Sequence, residues 1–248
     1  MRIILFDLKK YRILGDVLRG ALVLALIWGV INLGAYAYYA SDEYVEAMIE
    51  ASEKRTVIID AGHGGEDSGA IGVSGVLEKD LNLEIAAELG ELFTKEGYAV
   101  VYTRTKDKLL YEEHQNIKGI RKISDLKNRC KIAAEYPNSL FVSIHMNSFS
   151  NQKYSGLQVY YSPKNEESRN LASSVQTSVK NSLQTENERK IKKGEGMYVL
   201  ENVDNVAILI ECGFLTNPDE CEKLSQKEYQ KSLSFSIFCG IIEYIEKN

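Results

Sequence analysis

The sequence predicts an α/β domain with a mixed, mostly parallel central sheet covered by helices on both faces, preceded by an N-terminal hydrophobic helix. Short, almost wholly apolar runs suit buried strands, and they alternate with stretches of helical periodicity. A twenty-residue apolar stretch stands before them, close to the N-terminus. The chain has 248 residues, 44% of them hydrophobic and 26% charged, which is enough for one sizeable domain and a short extension.

The N-terminal region predicts export from the cytoplasm. A basic segment, residues 1–20, precedes the apolar stretch Ala21–Ala40, and an acidic flank follows it. As a helix this stretch spans about 30 Å, the thickness of a bilayer's hydrocarbon core. The charge asymmetry predicts a cytoplasmic N-terminus and places the chain after Ser41 outside the cytoplasm. Two interpretations remain open: a retained transmembrane signal anchor, or a signal peptide cleaved at the small-residue site Ala35-Tyr36-Ala37.

The remaining chain is predicted to be a linker, residues 41–55, and one globular domain, residues 56–248. Runs of apolar residues predict strands at Val57–Asp60, Tyr98–Tyr102, Leu140–Ile144, Gly156–Ser162, Met197–Leu200 and Val206–Ile210. Helical spacing predicts helices at Lys79–Glu96, Asp125–Glu135, Glu166–Leu183 and Lys227–Ile245, and a short helix that opens at Asn217-Pro218. Polar composition predicts surface loops at Lys106–Ser124 and at Thr185–Gly196, which carries Lys190, Lys192 and Lys193.

Charge and cysteine usage exclude some function classes. The net charge of -5 gives no footprint for nucleic acid. The four cysteines, Cys130, Cys212, Cys221 and Cys239, contain no C-x-x-C pair, so neither a zinc ribbon nor a thioredoxin motif is supported. They are expected to be buried or partly buried thiols. A disulfide is the alternative if the domain lies outside the cytoplasm. In the helix Asp125–Glu135, Leu126, Cys130 and either Ala133 or Ala134 are expected to face inward.

Three apolar strands each deliver a histidine or glutamate to their carboxyl ends. His63 lies in the glycine-rich turn after Val57–Asp60, His145 follows Leu140–Ile144, and Glu211 follows Val206–Ile210. Glu78 joins them at the start of the first crossover helix. Ligands of open α/β sheets bind beyond the carboxyl ends of the strands, so these side chains are expected to converge.

Two histidines and one carboxylate are the protein ligands of many catalytic zinc sites. Zinc lowers the pKa of a bound water to about 7, and a carboxylate off the metal can move its proton to a leaving amine. The residues therefore predict Zn²⁺ on His63, Glu78 and His145, Glu211 as the general base and then acid, and hydrolysis of an amide. Each residue alone is a weaker signal, because a structural histidine or a helix-dipole glutamate is common.

Several further positions have two interpretations each. Asn147 either donates to substrate or caps the strand end, and Arg129 either pairs with a buried carboxylate such as Asp60 or Glu211 or is solvated. Glu66 and Asp67 are either partners that orient His63 or solvated turn residues. Arg104 is expected to anchor a loop, and His114 is expected to be a solvated side chain.

From residue 56 to the C-terminus the chain resembles the zinc-dependent N-acetylmuramoyl-L-alanine amidases that include bacterial cell-division and spore-cortex enzymes. The matching segments stand in family order: IIDAGHGGEDSGAIG, LEKDLNLEIAAEL, VVYTRTKD, NRCKIAAE, LFVSIHMNS and ILIECGFLTNPDE. The resemblance implies cleavage of the amide between N-acetylmuramic acid and L-alanine of the peptide stem of peptidoglycan. It also implies zinc on His63, Glu78 and His145, with Glu211 catalytic.

The short chain with its hydrophobic N-terminus is similar to the spore-cortex, germination-specific branch. The expected partners are a glycan strand with its stem peptide, the membrane through the N-terminal segment, and a candidate activator protein. Two alternatives remain open: a peptidoglycan-binding module that is active only with a partner protein, and a glycosidase using Glu78 and Glu211.

Overall fold

The computed structural model describes residues 16–40 and 54–247, except residues 112, 116, 118 and 119. The described residues fall into two units, one within Met1–Glu53 and the other within Lys54–Asn248. Most of the predicted basic segment, residues 1–15, and most of the predicted linker, residues 41–53, lie outside the described residues.

The described residues of the first unit form one helix, α1, Asp16–Ala40. It has 25 residues and a mean hydropathy of 1.9, so by length and composition it is able to cross a membrane. It includes the five residues before the predicted apolar stretch, Asp16 to Gly20.

The second unit is an α/β domain built on a six-stranded sheet. Its strands are β1 (Val57–Ala61), β2 (Val100–Tyr102), β3 (Leu140–Asn147), β4 (Gln158–Tyr161), β5 (Lys192–Lys193) and β6 (Val206–Phe214). Its helices are α2 (Glu78–Lys95), α3 (Arg121–Glu135), α4 (Glu167–Ser182), α5 (Tyr198–Asn202), α6 (Pro218–Leu224) and α7 (Lys227–Lys247), with one 3₁₀ turn at Glu113–Gln115. The strand order is β2-β1-β3-β6-β4-β5.

The sheet is mixed and mostly parallel, as predicted. β1 pairs in parallel with β2 and β3, and β3 pairs in parallel with β6. β4 runs antiparallel to β6, and the two-residue β5 is parallel to β4. After β1 the chain crosses to one side to form β2 and then to the other to form β3. The carboxyl ends of β1 and β3 are therefore a topological switch point, where such sheets bind ligands.

Helices cover both faces of the sheet. The larger apolar cluster joins one face to α2, α4 and α7, and the smaller one joins the other face to α3 and α5. Alternation along β1 explains the division, because Val57 and Ile59 enter the larger cluster while Ile58 enters the smaller one. These nearly continuous apolar strands are buried because both faces are covered.

Two predicted elements differ from the structure. The segment Met197–Leu200, expected as an edge strand, is the start of α5. Its apolar side chains Val199, Leu200 and Val203 follow helical spacing and bury together, a pattern that four residues alone could not reveal. The predicted loop Thr185–Gly196 contains the short strand β5, which pairs with β4.

The third helix also differs from its prediction. α3 begins at Arg121 rather than Asp125, and its buried side chains are Ser124, Asp125, Arg129 and Ala133. Ala133 is buried in the smaller apolar cluster and the partly buried Leu126 and Cys130 pack against it, so these three face inward as predicted, whereas Ala134 is exposed. Asp125 and Arg129 also face inward, which was not predicted, because Arg129 pairs with the buried Asp60 carboxylate on β1.

The cysteines are free thiols, as expected. Cys212 and Cys221 are buried, and Cys130 and Cys239 are partly buried.

Candidate metal centre

The turn after β1 presents His63 toward the switch point. His63 has a φ of 61° and Gly64 a φ of 139°, both in the left-handed half of backbone space. This conformation costs a non-glycine residue roughly 1–2 kcal/mol, so surrounding contacts must hold it. Arg129 provides one of them, since its Nη2 donates to the His63 carbonyl at 2.8 Å. The strained turn therefore positions His63, and the hydrogen bond from Arg129 holds the turn in place.

Glu78, the first residue of α2, lies between both histidines. Its Oε1 lies 3.1 Å from His63 Nε2 and 2.9 Å from His145 Nδ1. The backbone N–H groups of Ala70 and Met146 donate to its two oxygens at 2.8 Å and 3.0 Å. Burial opposes ionisation of Glu78, but the hydrogen bonds from His145 and His63 outweigh it and hold the pKa of Glu78 well below its ordinary value.

The glycines around the site leave room for these side chains. A Cβ on Gly62 would lie 2.2 Å from His145 Nε2, and one on Gly69 would lie 2.5 Å from Glu78 Oε2. No side chain fits at either position without moving a member of the site. The predicted strand Leu140–Ile144 continues past His145 to Asn147, so His145 belongs to β3 and its position is fixed by the sheet.

The three residues fit a metal ion. One potential ligand atom from each of His63, Glu78 and His145 lies within 4.8 Å of the others. Zinc bonds of 2.0–2.2 Å in a tetrahedron would place such atoms roughly 3.4 Å apart. The site also attracts positive charge: burial lowers the pKa of His63, but the hydrogen bonds to Asp67 and Glu78 outweigh it and raise that pKa to about 9. A divalent cation would supply that charge and displace the proton.

Glu211 faces the same cavity as the histidines. It is the register partner of His145 across β3 and β6, and it lines a cavity of about 310 Å³ with His63 and His145. Its Oε2 is buried, with no hydrogen-bond partner among the described residues. Burial raises the pKa of Glu211 to about 7. A carboxyl group with this pKa can both accept and donate a proton near neutral pH.

A buried ion-pair network supports the site from the α3 side. Arg129 Nη1 lies 2.5 Å from Asp60 Oδ1, and Arg129 Nε donates to Asp125 at 2.8 Å. Hydroxyl groups of Thr103 and Ser143 donate to the Asp60 carboxylate at 2.7 Å and 2.6 Å. The pairing of Arg129 with Asp60 is thus one of the two predicted alternatives, and the solvated alternative is wrong.

A second buried arginine holds the same turn. Arg104 Nε donates to the Ala61 carbonyl, and its Nη2 donates to the carbonyls of Gly62 and Lys79, each at 2.8 Å. It thereby ties β1 to α2, in agreement with its predicted role as an anchor.

The two acidic residues of the turn have different contacts. Asp67 Oδ2 lies 3.0 Å from His63 Nδ1 and 3.1 Å from Lys122 Nζ. Glu66 pairs instead with Arg121 of α3 at 2.6 Å. Of the two, Asp67 is therefore the one that is positioned to orient His63.

Asn147 lies two residues beyond His145, in β3 itself rather than in a turn, and lines a neighbouring cavity with Arg189. His114 is exposed, as predicted.

Two polar residues of the site escaped sequence reasoning. Asn82 donates to the Gly62 carbonyl at 3.1 Å and lies 3.4 Å from Glu78 Oε1, and Asp125 braces Arg129. Helical spacing could have indicated both contacts, because residues four apart on a helix are neighbours. Asn82 is four residues after Glu78, and Asp125 is four residues before Arg129.

Comparison with known proteins identifies the family. A sequence profile of N-acetylmuramoyl-L-alanine amidase matches residues 57–243, most of the chain. The chain belongs to the N-acetylmuramoyl-L-alanine amidase family. This amidase is 35% identical over 209 residues to the germination-specific N-acetylmuramoyl-L-alanine amidase of Bacillus subtilis, covering 84% of this chain and 87% of that protein.

Solved structures agree. The CwlD amidase from Clostridioides difficile, in complex with the GerS lipoprotein, superposes with a TM-score of 0.76 at 36% identity, covering 79% of this chain and 100% of that one. The amidase AmiC2 of Nostoc punctiforme has a TM-score of 0.67 at 32% identity, covering 77% of this chain and 97% of that one.

The predicted activity is therefore confirmed at the level of the family. The chain is an N-acetylmuramoyl-L-alanine amidase and a peptidoglycan hydrolase. The glycosidase alternative is wrong, because the family cleaves an amide.

Proposed function

We propose that this amidase holds Zn²⁺ between His63, Glu78 and His145 and uses Glu211 for proton transfer. One observation carries the proposal: the Glu78 carboxylate lies within 3.1 Å of a nitrogen on each imidazole. Two imidazoles and a carboxylate, with a fourth position left for water, are the ligand set of many catalytic zinc sites.

Zinc, when bound, would supply Lewis acidity toward both the attacking water and the amide carbonyl. Glu211 would accept the proton of the attacking water and deliver it to the nitrogen of L-alanine as the C–N bond breaks, so one residue serves as base and then acid. Its buried, unpartnered oxygen and its pKa of about 7 suit both steps. Asp67, at 3.0 Å from His63 Nδ1, would hold the ring in the tautomer that leaves Nε2 for the metal.

We also propose that the catalytic domain, residues 56–248, acts outside the cytoplasm, with α1 as a membrane anchor or signal segment. Support comes from the length and hydropathy of α1 and from a substrate that lies in the cell wall. A mass measurement of the chain from membrane fractions would separate the two forms, because cleavage near Ala37 removes about four kilodaltons at roughly 110 Da per residue.

The narrower proposal is a role in spore cortex, with an activator protein as partner. It is supported by similarity to a germination-specific amidase and to an amidase whose structure was solved with a lipoprotein. If the activator is obligatory, the purified chain binds peptidoglycan and zinc but releases no peptide until the partner is added. This is also the outcome that would favour the binding-module alternative.

The test uses the full chain purified in detergent, with its metal content and the mass of products released from muropeptides measured together. We expect about one zinc per chain and release of the intact stem peptide, both abolished in His145→Ala. Glu211→Gln should keep the zinc and lose about 10²–10⁴-fold in turnover. His114→Ala is the matched control, a histidine outside the site. Full activity in Glu211→Gln, or undiminished zinc in His145→Ala, would contradict the proposal.

A further inference from the structure

A second cavity, of about 380 Å³, lies at the carboxyl ends of β3 and β6. Two cations, Arg189 and Lys192, line it together with Asn147 and four aromatic rings. Among the described residues no carboxylate lines this cavity, in contrast to the metal site. The proposed function uses neither cation.

Strand register places this cavity next to the reacting groups. Two residues that line the cavity, Asn147 and Phe214, follow His145 by two positions on β3 and Glu211 by three on β6. They pair with each other across a shift in the register of the two strands. The cavity therefore lies within two or three strand positions of His145 and Glu211.

Arg189 is fixed in position rather than extended into solvent. Its Nη2 donates to Gln158 Oε1 at 2.5 Å, and its guanidinium lies 4.8 Å from the centroid of the Phe214 ring. Gln158 is only 2% exposed, and its amide donates to the Lys190 carbonyl at 2.7 Å. This buried glutamine ties the loop that carries Arg189 to the sheet, opposite Glu211.

The two cations have unused capacity for an anion. Arg189 Nε is buried and has no hydrogen-bond partner among the described residues. In the part of the chain that the structure describes, neither Arg189 nor Lys192 forms an ion pair, although Lys193 pairs with Glu195 at 3.2 Å. Lys192 is the register partner of Tyr160, which also lines the cavity, whereas Lys193 is on the opposite face of β5.

We propose that this cavity binds a free carboxylate of the peptide stem, with Arg189 as the principal contact and Lys192 beside it. The inference rests on the proposed function, because it assumes that the scissile amide lies at the metal site. An arginine fork matches a carboxylate in geometry as well as in charge. Arg189 is thus a specificity-determining residue that does not touch the reacting atoms, and the ligand class is an acidic peptide.

The test compares two muropeptides that differ in one group: the residue after L-alanine carries either a free carboxylate or a primary amide. With the full chain in detergent we expect kcat/KM to favour the carboxylate by about 10–100-fold, mainly through KM, as for a hydrogen bond to a charged group. Arg189→Gln should abolish this preference, by lowering kcat/KM for the carboxylate form to the value that the same variant shows for the amide form. Arg189→Lys should restore part of it, because the charge remains and the fork is lost.

Lys193→Gln is the matched control, a neighbouring lysine whose loss should leave the preference unchanged. Equal kcat/KM for the two substrates in the wild type, or a preference that survives Arg189→Gln, would overturn the proposal.

A binding measurement keeps this proposal separate from the catalytic one. Calorimetry with Glu211→Gln compares affinity for the two muropeptides without turnover. Tighter binding of the carboxylate form, lost when Arg189→Gln is added, supports the site even if the proposed zinc mechanism fails. Equal affinities overturn the site even if the zinc mechanism holds.

Discussion

Arg129 and Asp60 form a fully buried ion pair next to the candidate metal centre, with Nη1 and Oδ1 2.5 Å apart and side-chain exposures of 2% and 1%. The same guanidinium donates to the carbonyls of Ala61 at 2.7 Å and of His63 at 2.8 Å. A charge pair in the core is costly to desolvate, so its value here lies in fixing the turn that carries His63, a proposed metal ligand.

Replacing Arg129 by methionine is therefore expected to destabilise the domain severely. The change leaves Asp60 buried without its counter-charge and releases two carbonyls, which costs about 3–5 kcal/mol in the free energy of unfolding. Denaturant unfolding of the full chain measures the loss. Lys127→Met, an exposed position on the same helix, should change stability by less than about 0.5 kcal/mol. Similar stabilities for the two variants would mean that the pair is not structural.

The same pair predicts how stability changes in acid. Burial opposes ionisation of Asp60, but the Arg129 charge and the Ser143 and Thr103 hydroxyls outweigh it and lower its folded-state pKa. A lowered folded-state pKa contributes stability above the unfolded value, about 3.9, and this contribution is lost as pH falls through the folded value. The advantage of the wild type over Asp60→Asn should thus be constant from pH 7 to about 5 and shrink below about pH 4. Thermal unfolding across this range measures it, and an advantage that grows in acid would reverse the assignment.

The sequence allowed the ends of three strands to be predicted, and with them four residues of the site, because a buried apolar run is a strong signal. His63, His145 and Glu211 follow such runs, and Glu78 starts a clear helix. Apolar spacing predicted Leu126, Cys130 and Ala133 on the inward face of α3, but it could not predict that Asp125 and Arg129 share that face. Arg129 is buried there because it pairs with Asp60, which is distant in the sequence, and Asp125 pairs with Arg129.

The contacts of the loop that carries Arg189 also could not be predicted from the sequence. Arg189 and Gln158 are 31 positions apart, and the antiparallel register of β4 and β6 places Gln158 beside Glu211. No local pattern marks such a pair, because the contact is fixed by topology. Likewise, the short α5 carries too few residues for its period to be read.

Gly69 is expected to control the geometry of the proposed metal ligands. It has a φ of 64°, and an added Cβ would lie 2.5 Å from Glu78 Oε2 and 2.8 Å from His63 Cδ2. Gly69→Ala should therefore lower zinc affinity at least about tenfold, as displaced supporting contacts do in metal sites. Metal titration against a competing chelator measures it.

Gly75→Ala provides the matched control for that change. Gly75 has a φ of 86°, but an added Cβ would meet nothing within 4 Å. Both alanines pay a backbone cost of roughly 1–2 kcal/mol, and only Gly69→Ala moves the ligands. If both variants lose zinc equally, backbone strain rather than the clash is responsible.

Asp67 and Glu66 are adjacent carboxylates, and only Asp67 contacts a predicted ligand. Asp67 Oδ2 lies 3.0 Å from His63 Nδ1, while Glu66 pairs with Arg121 on the surface. Because such a carboxylate fixes the tautomer and orientation of a ligating imidazole, Asp67→Asn should lower zinc affinity or kcat/KM by about 10–100-fold. Glu66→Gln removes one exposed ion pair, which contributes little, and should leave both quantities unchanged. The two variants remove the same charge from neighbouring positions, so a general electrostatic effect would appear in both. A loss confined to Asp67→Asn would instead show that the contact with His63 Nδ1 carries the effect, whereas equal losses would count against the orienting role.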